Sequence, residues 1–169
     1  MKEKLIAEQE DQQHGKSFIQ SFAYWVAIGF GSGLASKAPG TAGTLVAIPI
    51  YLALDRLDLW QYLVVVFVLL IAGFWLCDTA AKQLGVHDDP SIVWDEIVGY
   101  LITMIAAPGG WFWVISGFVL FRLFDILKPW PIRTIDRKVK GGLGIMMDDV
   151  LAALFALVIL QTVYWVLPQ

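Results

Sequence analysis

Long apolar runs without a single acid or base divide this chain. Residues 17–36, 38–54, 59–77, 97–121 and 150–169 contain no Asp, Glu, Lys or Arg. Each run is close to the roughly 20 apolar residues that a helix needs to cross a bilayer core. The runs are continuous, as in LVVVFVLLI at 63–71, and do not alternate at period two as membrane strands do. Helices are therefore predicted. A loop SKAPGTAGT at 36–44 leads into a short run 45–54, and DRLD at 55–58 precedes a long helix over 59–77. A polar stretch 78–91 separates it from a segment 92–107. The turn PGG at 108–110 leads to 111–127, a basic loop KPWPIRTIDRKVKGG covers 128–142, and a last helix covers 144–167. Residues 18–34 hold Gln20, Ser21, Gly29, Gly31 and Gly33, which favour an interfacial or re-entrant helix over a full crossing. The pattern predicts an all-α, polytopic membrane bundle with about five membrane segments plus that N-terminal helix. Residues 1–16 are expected to form a polar tail, and 17–169 a single membrane-embedded domain.

Composition sharpens this reading. The chain is 58% hydrophobic and 16% charged, where a soluble domain carries about 25% charge. The formal net charge of −3 offers no basic field for nucleic acid. The mixed-charge N-terminus does not read as a secretory signal. The single cysteine, Cys77, excludes an internal disulfide and a cysteine-rich metal site.

Basic residues set the expected orientation, because short loops rich in Lys and Arg stay on the cytoplasmic side. Lys128, Arg133, Arg137, Lys138 and Lys140 crowd one loop. That loop, the 78–91 stretch and the loop around Lys37 are expected inside. The 55–58 and 108–110 turns and the C-terminus are expected outside.

The acids carry the chemistry. Asp95 and Glu96 open the segment 92–107, Asp125 closes 111–127, and Asp148 and Asp149 stand at the start of the last helix. In the expected orientation all five meet at the cytoplasmic ends of three helices. Ionisable groups inside membrane segments face a polar cavity or one another. Five converging carboxylates need a positive counterpart, and Mg2+, which takes carboxylate oxygens and keeps waters for a phosphate substrate, is the expected one. Macrodipole pairing at helix starts accounts for one acidic pair, but not for Asp125 at a C-terminal end. Arg122, Asp125 and Lys128 recur every three residues along one helix face. Arg122 and Lys128, with Arg133 in the loop, are candidate phosphate ligands. The glycine-rich Lys37-Ala38-Pro39-Gly40-Thr41-Ala42-Gly43-Thr44 offers backbone amides at a helix start, naming Lys37, Gly40, Thr41 and Gly43 as further candidates. Close helix packing by small residues explains the same stretch equally well.

Other phosphatase chemistries lack their residues. Two histidines, His14 and His87, cannot supply a histidine nucleophile with a histidine acid. Cys77 has Gln83 where a thiolate phosphatase needs Arg, and no D-x-D-x-T motif occurs. Metal-activated water remains; His87 is a candidate auxiliary base or ligand, with an ordinary loop residue as the favoured reading. A cation-coupled transporter is the rival class, but its acids should lie near the midplane. A phosphatase for another lipid phosphate is the rival within the class.

Three segments resemble the phosphatidylglycerophosphatase A family of bacterial inner membranes. They are GFGSGLASKAPGTAGTLVAIPIY at 29–51, GVHDDPSIVWDEIVG at 85–99 and FRLFDILKPWPIRTIDRKVKGGLGIMMDDVLA at 121–152. The resemblance covers about 25–155. It implies an all-helical, magnesium-dependent enzyme that hydrolyses phosphatidylglycerophosphate to phosphatidylglycerol and inorganic phosphate. It implies a multi-pass protein of the inner membrane. Its motif positions fall on Asp95, Glu96, Arg122, Asp125, Lys128, Asp148 and Asp149, and its glycine-rich segment on Lys37, Pro39, Gly40, Thr41 and Gly43.

Overall fold

A computed structural model describes residues 19–86 and 89–167. The described residues contain helices and no strand. Helix α1 (19–27) ends in a 3-10 turn, Gly29–Leu34, in which Gly29, Phe30 and Gly31 all have positive φ. The segment 18–34 is thus broken rather than one continuous rod. Then follow α2 (Pro39–Leu54), α3 (Leu59–Leu84), α4 (Trp94–Thr103), α5 (Trp111–Leu127), α6 (Ile132–Lys138) and α7 (Gly141–Val166).

The expectation of about five membrane segments is not supported. Among the described residues, two helices are long and apolar enough to cross a bilayer, α3 and α7. At roughly 1.5 Å per residue, α2, α4 and α5, with 16, 10 and 17 residues, fall short of the usual span. Local chemistry explains the shorter elements. The segment 92–107 stops being helical at Thr103, and Ala106 takes a left-handed φ of 53°. Helix α5 ends at Lys128, also left-handed, directly before Pro129, which cannot continue a helix.

Several predicted boundaries move. Helix α2 begins at Pro39, inside the expected loop, because proline at a first helical position loses no hydrogen bond. Helix α3 runs on through the charged residues to Leu84 and stops at left-handed Gly85. The basic loop contains α6, and α7 starts at Gly141 rather than 144.

Helix α7 is the central post, packed against α3, α4, α5 and α6. It comes close to α3 at Gly142, whose N–H donates to Asp78 Oδ1. A Cβ there would collide with the Phe74 carbonyl and Asp78. Gly142→Ala is expected to cost about 1–3 kcal/mol through overpacking, read as a lower melting temperature in detergent. At the other end, the Tyr62 hydroxyl donates to the Leu101 carbonyl and the Tyr100 hydroxyl to the Val114 carbonyl. These bonds tie α3, α4 and α5 together away from the acids. The exterior is apolar, with Trp60, Phe67, Trp111, Phe112, Val158 and Trp165 each more than half exposed. Contiguous apolar surface of this kind marks an interaction with lipid or protein.

Candidate active site

The chain direction brings parts of four helices to one end of the bundle. The N-termini of α2 and α4, the C-terminus of α5, and the first part of α7 surround a cavity of about 270 Å³. Its walls include Gly40, Asp95, Glu96, Arg122, Asp125, Lys128 and Asp149. Asp95 and Glu96 occupy the first turn of α4, where exposed N–H groups favour negative charge. Asp149 reaches them from α7. One carboxylate oxygen from each of Asp95, Glu96 and Asp149 lies within 4.8 Å of the others.

These acids are deeply placed. Asp95 is 8% exposed and Asp149 3%. Asp95 Oδ1, Glu96 Oε2 and Asp149 Oδ2 are buried with no hydrogen-bond partner. An unpartnered buried carboxylate oxygen is costly, and three together offer a positive ligand a set of free oxygen donors. A set of hard oxygen donors suits Mg2+ rather than a soft metal. The residues therefore fit a divalent cation.

Two cations sit beside the acids. Arg122 Nη1 lies 2.5 Å from Asp125 Oδ2 and 3.7 Å from Glu96 Oε1. The pairing is a contact of charges without good hydrogen-bond alignment, since Arg122 Nε and Nη1 keep no hydrogen-bond partner. The Nε–H, buried and without a hydrogen-bond partner, is not used by this pairing. Lys128 Nζ lies 2.6 Å from Asp148 and 2.6 Å from Asp136. Burial works to lower the Lys128 ammonium, but the hydrogen bonds to Asp136 and Asp148 outweigh it and hold the group well above the ordinary lysine range. Lys128 is thus charged throughout physiological pH.

Four of the five acids named from the sequence, Asp95, Glu96, Asp125 and Asp149, line the cavity with Arg122, Lys128 and Gly40, and Asp148 adjoins it through its pair with Lys128. Gly40 is where the backbone of α2 comes closest, because a Cβ would collide with the Glu96 carboxylate and the Arg122 guanidinium. Gly40→Ala is accordingly expected to displace the Glu96 carboxylate or the Arg122 guanidinium and to lower activity by about 10-fold or more, measured as phosphate release at matched protein folding. Other candidates lie elsewhere. Gly43 packs against Val93, which is the helix-packing alternative. Lys37 and Arg133 are exposed, Thr41 is half-buried, and none of the three lines the cavity. His87 lies outside the described residues. Asp136 is the residue missed. Its sequence signal was an isolated acid within the most basic loop of the chain.

Fold and site together define a helical protein with an apolar exterior and one nest of acids and bases, shaped for a small charged group. The profile of the family described as Phosphatidylglycerophosphatase A matches residues 25–164. Phosphatidylglycerophosphatase A of Escherichia coli (strain K12) is 49% identical over 132 residues, covering 78% of this chain and 77% of the relative. Phosphatidylglycerophosphatase A of Haemophilus influenzae (strain ATCC 51907 / DSM 11121 / KW20 / Rd) is 45% identical over 148 residues, covering 84% and 89%. No solved structure matches the chain. The chain belongs to the phosphatidylglycerophosphatase A family.

Proposed function

We propose that the protein hydrolyses phosphatidylglycerophosphate to phosphatidylglycerol and inorganic phosphate, with Mg2+, at the cytoplasmic face of the bacterial inner membrane. The observation that carries this reading is a single cavity that holds both unpartnered carboxylate oxygens and the side chains of Arg122 and Lys128. A phosphate monoester with a divalent cation satisfies both sets at once. Family membership supplies the lipid, since the relatives are named for that phosphatase activity. The acids gather at one end of the bundle, which suits an interfacial enzyme better than a transporter that opens to both faces.

In this reading Asp95, Glu96 and Asp149 hold the cation. When bound, it polarises the phosphoryl group and lowers the pKa of a neighbouring water. Arg122 and Lys128 receive the phosphoryl oxygens and offset the charge that builds on them in the transition state. Glu96 links the two halves, since it belongs to the three-acid cluster and its Oε1 lies 3.7 Å from Arg122 Nη1. Asp125 pairs with Arg122, and Asp148 pairs with Lys128. Water adds to phosphorus, the bond to the glycerol oxygen breaks, and that oxygen leaves with a proton as the phosphatidylglycerol hydroxyl.

The exposed apolar faces of α3 and α7 sit in the bilayer, and the shorter helices pack around them. Phosphate release from a panel of lipid phosphates in detergent tests the substrate. Phosphatidylglycerophosphate should be the preferred substrate, and chelation of magnesium should abolish its hydrolysis. Preference for a different lipid phosphate would overturn the assignment. Orientation is testable with Lys138→Cys in a Cys77→Ser background. This thiol should resist a membrane-impermeant reagent on intact spheroplasts, and free labelling would invert the topology.

A further inference from the structure

We infer that Asp136 is a positioning residue that holds the Lys128 ammonium at the cavity against the pull of Asp148. The inference rests on the phosphatase reading above. Lys128 leaves α5 in a left-handed conformation, φ 41° and ψ 60°, and Pro129 prevents the helix from continuing. Its side chain therefore depends on partners outside α5 for its direction. Two acids hold it at the same distance of 2.6 Å, Asp148 from α7 and Asp136 from α6. Asp148 is the more buried of the two, with a side chain 8% exposed against 29% for Asp136. With Asp148 alone, the ammonium would settle into a simple pair on α7, next to the Asp149 carboxylate.

The short helix α6 presents Asp136 to the site for a clear reason. Ile132, fully buried, anchors α6 in the core. Asp136 is four residues on, on the same helix face. Arg133 and Arg137 point to the exposed side. An ammonium has three N–H donors. Asp136 and Asp148 take two, and the third remains for a phosphate oxygen in the cavity that Lys128 lines. Asp136 itself does not line the cavity, so it acts through Lys128.

A double-mutant cycle separates this role from simple anchoring of α6. Asp136→Asn should lower kcat/KM for phosphatidylglycerophosphate by about 10-fold or more, the scale of one lost hydrogen bond between charged groups. In a Lys128→Met background the same change should have an effect within about 2-fold, because the group it positions is gone. Asp136→Glu should restore most of the rate. A second readout is the rise in melting temperature on adding inorganic phosphate. Asp136→Asn should shrink that rise, and should not shrink it further once Lys128 is removed. Full activity of Asp136→Asn, equal losses in both backgrounds, or failure of Asp136→Asn to fold would each overturn the inference. A wild-type protein inactive on phosphatidylglycerophosphate would defeat the functional reading alone, and the phosphate-stabilisation cycle would still decide the role of Asp136.

Discussion

Asp149→Asn should lose phosphate release by on the order of 10²-fold or more, the several kcal/mol that a bound metal contributes to a phosphoryl-transfer transition state. Asp149 is 3% exposed, has an unpartnered oxygen, and completes a three-acid cluster with Asp95 and Glu96. Asparagine keeps the shape and removes the charge, so the deficit reports on electrostatics rather than packing. Raised magnesium should restore part of the rate, because a weakened site refills by mass action. Asp148→Asn should be milder. Its carboxylate is engaged by Lys128 and lies outside the three-acid cluster. Adjacent residues on a helix point about 100° apart, so the two acids face different partners. Without magnesium, Asp149→Asn should also melt higher than wild type, since it relieves repulsion among buried like charges. Steady-state rates against magnesium concentration, with thermal melts of the same samples, check all of this. Wild-type rates for Asp149→Asn would remove the cluster from the mechanism.

The largest loss of stability is expected from Arg122→Met. The Arg122 side chain is 13% exposed, and its partners Glu96 and Asp125 are 14% and 11% exposed. Little water is available to solvate those carboxylates once the guanidinium is gone. Breaking a buried pair from one side costs about 3–5 kcal/mol, because the remaining charge is left uncompensated. Adding Asp125→Asn to Arg122→Met should recover part of that stability and none of the activity. Thermal unfolding in detergent reads the first effect and phosphate release the second. A single Arg122→Met variant that melts with wild type would show that the pair is solvated, contrary to its burial.

The site was more legible than the helices that build it. Acids and bases stand out inside apolar runs because burying them is costly without a function, which is why Asp95, Glu96, Arg122, Asp125, Lys128, Asp148 and Asp149 could be named by position alone. Hydropathy was a poorer guide to helix length. Helix α3 outlasts its apolar run by seven residues because its last two turns, from Asp78 to Leu84, carry charge without breaking backbone hydrogen bonds. The GTAGT stretch read as a loop because its residues are small. They are small because α2 lies close against Val93 and the Glu96–Arg122 pair, contacts that exist only in three dimensions. Asp136 was hidden for the opposite reason. In a loop dense with Lys and Arg an acid looks like charge balance, and only the fold of α6 aims it at Lys128.

The most direct test follows the phosphorus atoms themselves. Phosphatidylglycerophosphate carries one terminal monoester and one bridging diester, and 31P NMR in detergent distinguishes them from inorganic phosphate. With magnesium, the wild-type protein should convert the monoester signal to inorganic phosphate and leave the diester signal intact, and Asp149→Asn should leave both signals nearly unchanged over the same time. A persistent monoester with the wild-type protein, consumption of the diester, or full conversion by Asp149→Asn would contradict the account.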